Sequence, residues 1–212
     1  MNTIDLNEFA RLGVATVYEA SGRAGLVDLP LHQITPGSRV AGPACTVRCG
    51  QGDNLMVHAA MAAVQPGEVL VVTMPEPAPV ALVGELLATQ AIAQGAAAML
   101  IDAAVRDAEE LRALGLPIWA RFIRVRGATR TAVGEKNTPV AMGGATIHPG
   151  DIIVLDTDGA VVVDAERAAE VLAEAQTRET REAGNRCKFQ AGQLSIDLYN
   201  LRQQVAGHLP ES

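Results

Sequence analysis

The stretch from Gly84 to Glu110, GELLATQAIAQGAAAMLIDAAVRDAEE, constrains the fold more than any other part of the chain. Glu85 to Gln94 is rich in strong helix formers, and Gly95 is the residue type that most readily closes a helix in the left-handed conformation. Ala97 to Asp102 is a short apolar run that is typical of a buried strand. The stretch therefore predicts a helix followed by a strand inside an α/β unit.

A charged loop follows this predicted strand. Arg106 and Asp107 come after it, and Ala108 to Leu114 resumes a helical pattern. The loop would thus lie at the carboxyl end of a strand, which is where α/β sheets tend to bind their ligands. We therefore expect an α/β fold with its functional site near Arg106 and Asp107.

Composition and charge narrow the class of protein. The 212 residues are 49% hydrophobic and 19% charged, a balance typical of a globular protein with a substantial core. The net charge of −7 argues against a nucleic-acid or membrane-surface partner, since both need a clustered positive face. No apolar run approaches the roughly 18 residues of a membrane span, and the N-terminus lacks the pattern of a signal peptide. We expect a cytoplasmic protein whose partner is a small molecule or another protein.

The three cysteines, Cys45, Cys49 and Cys187, form no paired framework, which agrees with a reducing compartment. Cys45 and Cys49 are four residues apart and would need two further ligands to make a zinc site. We predict that these two are buried thiols.

Other patterns predict one domain, 1–164, that carries a C-terminal helical arm, 165–212. Pro43 indicates an edge or a bend within its strand, and Thr16 with Glu19 could form a capping box. Asp158-Gly159 predicts a hairpin turn in which both residues have positive φ. The predicted helices are 7–13, 14–22, 55–64 and 165–186, the predicted strands are 39–48, 69–74, 117–125, 139–142 and 152–156, and 192–205 is predicted to be a docked amphipathic tail.

Arg106 and Asp107 are the first candidates for chemistry. A guanidinium group matches a carboxylate or a 2-oxo acid, and the adjacent carboxylate could hold a hard divalent cation directly or through water. The alternative is a surface ion pair in which Asp107 is simply the N-cap of the helix from Ala108. The local sequence leaves both interpretations open.

The start of the helix after Gly84 is the second candidate. Its backbone N–H groups at Glu85, Leu86 and Leu87 could bind a carboxylate, as helix N-termini do for anions generally. This signal is weak by itself, but the helix, strand and loop are consecutive and are expected to pack side by side.

Several mechanisms lack the residues they need. A Schiff-base aldolase requires a desolvated lysine, whereas Lys136 and Lys188 both lie in polar contexts. The sequence has no nucleophile elbow, no P-loop and no dinucleotide fingerprint. Of the four histidines, only His58 is near other candidate residues.

Seven segments together resemble one known family over nearly the full length of the chain. Its members are the 4-hydroxy-4-methyl-2-oxoglutarate/4-carboxy-4-hydroxy-2-oxoadipate aldolases, class II pyruvate aldolases that share their fold with the RraA-type regulators of ribonuclease E. The most specific part is an acid, twenty intervening residues and then Arg-Asp, here Glu85 and Arg106-Asp107. The segments are GVATVYEASGR, GDN at 52–54, PGEVLVV, GELLAT, GAAAMLIDAAVRD, HPGDIIVLDTDGAVVV and AGQLSIDLYNLR.

The resemblance implies an RraA-like three-layer β/β/α fold of the swivelling-domain type, with a barrel-like core and a long C-terminal helical arm. It also implies a homotrimer or a homohexamer. Mg²⁺ or Mn²⁺ would be held by Asp107, largely through waters. Arg106 would bind the 2-oxo acid and stabilise the enolate, and Gly84 with the amides of Leu86 and Leu87 would hold the pyruvyl carboxylate.

The remaining catalytic acids follow from the same resemblance. Glu85 would place the water that protonates the enolate, although some of these aldolases have aspartate there. A glutamate from the C-terminal helix of a neighbouring subunit would complete the site, with Glu182 as its match and Glu179 as the alternative.

The expected activity is cleavage of 4-hydroxy-4-methyl-2-oxoglutarate, of 4-carboxy-4-hydroxy-2-oxoadipate or of both, giving pyruvate plus pyruvate or oxaloacetate. Oxaloacetate decarboxylation is expected as a side activity, and the family implies a role in aromatic compound degradation. The rival hypothesis is a non-catalytic RraA-like regulator that binds and inhibits a ribonuclease. The C-terminal extension from Gly184, with Asp197, Tyr199 and Arg202, favours the enzyme, although it could equally be a subunit-docking arm.

Overall fold

The computed structural model describes residues 4–208, which form a mixed α/β fold. The helices are α1 (Leu6–Ala20), α2 (Leu55–Ala60), α3 (Glu85–Ala93), α4 (Ala108–Leu114), α5 (Ala168–Gln190) and α6 (Ser195–Leu198). The strands are β1 (His32–Gln33), β2 (Val40–Arg48), β3 (Val69–Thr73), β4 (Ala81–Val83), β5 (Ala98–Val105), β6 (Ile118–Ile123), β7 (Glu135–Lys136), β8 (Val140–Met142), β9 (Ala145–Ile147), β10 (Ile152–Asp156) and β11 (Gly159–Val163). Short 3₁₀ helices lie at Ala165–Arg167 and Arg202–His208.

One nine-stranded sheet dominates the fold, in the order β1-β6-β5-β3-β2-β10-β11, with β4 paired to β5 and β7 to β2. The ladders β2–β3, β3–β5, β4–β5 and β5–β6 are parallel. The two ends of this order approach each other because Leu26, a few residues before β1, bridges Val161 of β11. The sheet is therefore nearly closed, in agreement with the expected barrel-like core.

The sheet is buried on both faces, which explains why every residue of β5 is buried. Ala98 and Leu100 face the interior cluster, whereas Met99 and Ile101 face the helices. Trp119 lies in the interior cluster, and its Nε1 donates to the carbonyl of Asp156 at 2.8 Å across the barrel. The β8–β9 hairpin contributes to the same cluster, and α1 with the first turns of α5 packs outside β10 and β11. These layers confirm the predicted α/β class.

The central stretch folds as its sequence predicts, with one extension. Helix α3, Gly95 at φ +82° and helix α4 lie where they were expected. The strand continues three residues beyond Asp102, to Val105, because Ala104 and Val105 pair with β4 and β6. Arg106 consequently follows the strand directly at the carboxyl edge of the sheet.

Two turn predictions were wrong in detail. Pro43, predicted to mark an edge or a bend, lies where β2 passes from its pairing with β10 to its pairing with β3, which begins at Ala44. The hairpin at 157–158 is present, but only Gly159 has positive φ, and Asp158 N donates to the side chain of Asp156. Thr16 lies inside α1, where it cannot be an N-cap. The helix instead kinks at Gly13, as the two predicted helices imply.

The chain divides into two compact units within α5, the first ending at Ala175 and the second beginning at Gln176. In the second unit, Phe189 and Tyr199 meet edge to face with ring centroids 6.4 Å apart. Part of the predicted tail is uncovered, since Leu194 is 57% exposed and Tyr199 is 52% exposed, whereas Ile196 and Leu198 are partly buried. No helix within residues 4–208 has both the length and the hydropathy needed to cross a membrane.

Replacing Gly25 by alanine should open the sheet closure. Gly25 has φ +78°, and an added Cβ would lie 1.9 Å from the carbonyl oxygen of Val162, whose amide donates to Gly25. We expect Gly25→Ala to lower the free energy of unfolding by about 3–5 kcal/mol in urea titrations. Gly22→Ala is the matched control, because Gly22 has φ +77° and open space around it, so only the backbone penalty of about 1–2 kcal/mol applies. Equal losses in the two variants would show that closure at this point contributes nothing.

Candidate functional site

The loop after β5 lies beside the junction between β4 and α3. The amide of Arg106 donates to the carbonyl of Val83 at 3.1 Å, which fixes the loop next to Gly84 at the start of α3. Both positions are at carboxyl ends of neighbouring parallel strands. The two candidate features of the central stretch therefore meet in one place.

Asp107 occupies the N-cap position of α4 but does not act as its cap. Its backbone is left-handed, with φ 58° and ψ 44°, and its side chain makes no hydrogen bond to α4. Instead Oδ2 accepts from the amide of Glu85, at 3.1 Å, on the other helix. A left-handed residue other than glycine costs about 1–2 kcal/mol, so the fold must stabilise this conformation elsewhere. The interpretation of Asp107 as a simple helix cap is therefore wrong.

Arg106 is held between two glycines. Its Nε lies 3.7 Å from Asp107 Oδ2, and 46% of its side chain is exposed. A Cβ on Gly84 would be 2.5 Å from Asp107 Oδ2 and 3.2 Å from Arg106 Nε. A Cβ on Gly127 would be 3.0 Å from Arg106 Nη1. The absence of both side chains leaves the guanidinium group and the carboxylate room at the helix start.

A cleft of about 150 Å³ opens at this junction. Five predicted residues line it: Gly84, Leu86, Leu87, Arg106 and Asp107. The sequence predicted that the amide of Glu85 could bind an anion. In the structure this amide is unavailable, because it donates to Asp107. The side chain of Glu85 lines an adjoining depression with Asp107 and Glu110, and its Oε1 accepts from Thr89.

The C-terminal glutamates belong to the second compact unit. Glu182 pairs with Arg178 one turn earlier in α5, at 2.8 Å, and its side chain is 40% exposed. Glu179 lies on the same helix.

The sequence did not single out three further residues of the cleft as a group: Asn54, His58 and Arg130. Asn54 begins α2, and its Nδ2 donates to the carbonyl of Leu82 at 2.9 Å. Its Oδ1 is buried and has no partner among residues 4–208. The only sequence signal for this position was the GDN turn within the family resemblance.

Asp53 anchors the segment that carries Arg130. One carboxylate oxygen accepts from Thr129 Oγ1 and from the amide of Thr131, both at 2.6 Å, and from the amide of Ala132 at 3.1 Å. The other accepts from the amide of Leu55 at 2.8 Å. Burial alone would raise the pKa of Asp53, but these hydrogen bonds outweigh it and hold that pKa well below its usual range.

Cys45 and Cys49 are buried thiols, as predicted. Burial raises the pKa of Cys45 to about 11 and that of Cys49 to about 12, so both stay protonated at neutral pH. Neither is suited to act as a thiolate nucleophile.

The residues at the cleft fit a hydrated divalent cation. Asp107 presents a carboxylate that is 41% exposed, with the carboxylate of Glu85 on the adjoining depression. In the part of the chain that the structure describes, no group of three or more His, Cys, Asp or Glu side chains is arranged to hold a metal. Mg²⁺ commonly keeps several waters and needs only one or two protein carboxylates. The donor set therefore suits a cation bound mainly through water, not a closed protein cage.

Fold and cleft together define an α/β protein whose arginine and carboxylate meet a helix N-terminus at the carboxyl edge of a nearly closed sheet. Residues 14–162 match the RraA-like family described as Aldolase/RraA. The chain belongs to this family.

Individual relatives agree with this assignment. A proposed 4-hydroxy-4-methyl-2-oxoglutarate aldolase of Halalkalibacterium halodurans is 31% identical over 177 residues, covering 82% of this chain and 84% of that protein. An uncharacterized protein of Pseudomonas syringae has a similar structure, with a TM-score of 0.80, 26% identity and 89% coverage of both chains. Streptomyces coelicolor RraAS2, described as an unusual member of the RNase ES inhibitor RraA family, has a TM-score of 0.75 and 30% identity, covering 88% of this chain and 99% of its own.

Replacing Asp53 by asparagine should remove a pH-dependent contribution to stability. Because its pKa is lower in the folded than in the unfolded chain, Asp53 stabilises the fold above about pH 4 and loses that contribution as the pH falls further. We expect Asp53→Asn to lower the free energy of unfolding by about 2–4 kcal/mol at pH 7. Urea titrations between pH 7 and pH 3 should show the gap from wild type narrowing below pH 4. The exposed Asp28 provides the control Asp28→Asn, and a gap that does not vary with pH would contradict the assignment.

Proposed function

We propose that this protein is a class II, divalent-metal-dependent pyruvate aldolase. Its substrates are 4-hydroxy-4-methyl-2-oxoglutarate, 4-carboxy-4-hydroxy-2-oxoadipate or both, and its products are pyruvate plus pyruvate or oxaloacetate. One observation carries the proposal: Arg106, Asp107 and the start of α3 line a single cleft. The similarity to the Halalkalibacterium protein supports the choice of substrate.

The start of α3 would bind the pyruvyl carboxylate. The first turn of a helix has amides without partners in the preceding turn, and its dipole favours an anion. Since the amide of Glu85 is engaged by Asp107, those of Leu86 and Leu87 are left for the substrate. Gly84 keeps the approach open, because a side chain there would meet Arg106 and Asp107.

Arg106 would stabilise the charge that develops on the 2-oxo group. In the retro-aldol step the C4 hydroxyl gives its proton to water, C4 becomes a carbonyl, and the electrons of the C3–C4 bond form the pyruvate enolate. A fixed guanidinium group beside the oxygen of this enolate lowers the barrier because its charge is present before the reaction begins. Protonation of C3 then gives pyruvate.

Mg²⁺ or Mn²⁺, held by Asp107 largely through water, would supply Lewis-acid polarisation of the 2-oxo group. The hydrogen bond from Glu85 N keeps the Asp107 carboxylate at the cleft. The same enolate arises when oxaloacetate loses CO₂, so oxaloacetate decarboxylation is proposed as a side activity.

Glu85 is proposed to position the water that protonates the enolate. Its carboxylate lines the depression beside Asp107, which supports this role. Glu182 from a neighbouring subunit is proposed to complete the site, with Glu179 as the alternative, in a cytoplasmic homotrimer or homohexamer. The exposure of the Glu182 side chain is compatible with a partner subunit.

The rival function is a non-catalytic regulator that inhibits a ribonuclease. This chain is similar in fold to RraAS2, and one fold can serve different functions, so the experiment below also tests the regulator. The paired Arg106 and Asp107 beside a free helix N-terminus favour the enzyme, since a regulator that acts by surface contact has no need of them.

Purified protein should release pyruvate from 4-hydroxy-4-methyl-2-oxoglutarate only with Mg²⁺ or Mn²⁺ present. Arg106→Ala should lower kcat/KM by about 10²–10³, because it removes a charge that acts on the developing enolate. A coupled assay that follows pyruvate reduction measures both effects.

The matched control is Arg126→Met, which removes an exposed arginine that does not line the cleft. Full activity after chelation and dialysis would contradict the class II mechanism. If no pyruvate forms from either substrate while a ribonuclease is bound and inhibited, the regulator is the correct function.

A further inference from the structure

One residue that lines the cleft has a buried acceptor without a partner among residues 4–208. The carbonyl of Leu82 can only accept a hydrogen bond, so the amide nitrogen of Asn54 must face it and Oδ1 must face away. Asn54 is 7% exposed, lines the cleft, and leaves Oδ1 unpaired within the described residues. A buried acceptor in a polar cleft calls for a donor from a ligand or a water.

Arg130 supplies a second positive charge to the same cleft. Its guanidinium group makes no ion pair with any carboxylate in residues 4–208, although the chain has 24 acidic residues. The backbone that carries it is fixed on both sides, because Thr129 and Thr131 each donate to the buried carboxylate of Asp53. Arg130 is thus directed to the cleft by a rigid segment. His58 lines the same cleft.

The cleft therefore has cationic groups contributed by two separate segments. Arg106 follows β5 and lies beside the start of α3, and Arg130 belongs to the segment after β6. With the pyruvyl carboxylate at the α3 amides and the 2-oxo group at Arg106, a monocarboxylate leaves Arg130 without an anionic partner. A dicarboxylate with a C4 hydroxyl group can pair its distal carboxylate with Arg130 and donate to Asn54 Oδ1.

We propose that Asn54 and Arg130 recognise the half of the substrate that does not become the pyruvate enolate. Arg130 binds the distal carboxylate, and Asn54 Oδ1 accepts from the C4 hydroxyl group. This inference rests on the proposed function, in which the start of α3 and Arg106 hold the pyruvyl half. It makes the cleft selective for 4-hydroxy-2-oxo dicarboxylates over the corresponding monocarboxylates.

The decisive test compares two substrates that share the pyruvyl half and the C4 hydroxyl. The dicarboxylate is 4-hydroxy-4-methyl-2-oxoglutarate and the monocarboxylate is 4-hydroxy-2-oxopentanoate, both with the Mg²⁺-loaded protein. Wild type should favour the dicarboxylate in kcat/KM. Arg130→Met should reduce the ratio of the two kcat/KM values by about 10–100-fold, as expected for the loss of one charged hydrogen-bonded pair. Arg130→Lys should recover part of the ratio.

Arg126→Met is again the control, and it should keep the wild-type ratio because Arg126 is exposed outside the cleft. The role of Asn54 is tested first on wild type with 2-oxoglutarate, a dicarboxylate without the hydroxyl. 2-Oxoglutarate should inhibit competitively. Arg130→Met should raise its Ki by the same factor by which it reduces the ratio of the two kcat/KM values. Asn54→Ala should lower kcat/KM for both hydroxylated substrates while the Ki of 2-oxoglutarate changes less than about threefold.

The failure of this inference differs from the failure of the proposed function. If wild type cleaves the substrates but Arg130→Met changes the two kcat/KM values equally or changes neither, Arg130 does not recognise the distal carboxylate and the inference is overturned. If Asn54→Ala raises the Ki of 2-oxoglutarate by the same factor by which it lowers kcat/KM for the hydroxylated substrates, Asn54 does not recognise the hydroxyl group. If wild type releases no pyruvate with either metal, the proposed function fails and takes the inference with it.

Discussion

The hydrogen bond from the amide of Glu85 to the carboxylate of Asp107 holds the candidate site together. It joins the start of one helix to the loop before the next, and it accompanies a left-handed backbone at Asp107 that the loop alone would not favour. Arg106 is held beside this contact by its own amide, which donates to the carbonyl of Val83. The strain at Asp107 thus coincides with the chemical groups of the site, as it often does where a fold maintains a functional geometry.

A second anchor, Asp53, fixes the part of the cleft that includes Asn54 and Arg130. Its hydrogen bonds join the turn before α2 to the segment that carries Arg130. Neither region has enough regular structure to fix itself, since α2 is six residues long and β7 has two. A buried carboxylate with donors on both of its oxygens provides that rigidity, and its desolvation is offset by the hydrogen bonds it accepts.

The family relationship is compatible with more than one activity. The same nearly closed sheet is similar both to a proposed aldolase and to a protein described within an RNase ES inhibitor family. Function must therefore be argued from the cleft and not from the sheet. The groups in the cleft are an arginine, a carboxylate and free helix amides, and together they suit a 2-oxo acid with a divalent cation.

The sequence by itself determined the elements of the central stretch, because residues 84–114 carry local signals: helix formers, a closing glycine and a buried apolar run. It also determined the α/β class and the candidates Arg106 and Asp107. Tertiary structure decided which groups those candidates meet. Whether Asp107 caps its own helix or accepts from Glu85 depends on strand pairing between β4 and β5, which brings distant residues together. Asn54 and Arg130 lie 76 positions apart and share a cleft because the segment of Arg130 is bound to Asp53 and Asn54 through Thr129 and Thr131, so no local pattern could reveal them.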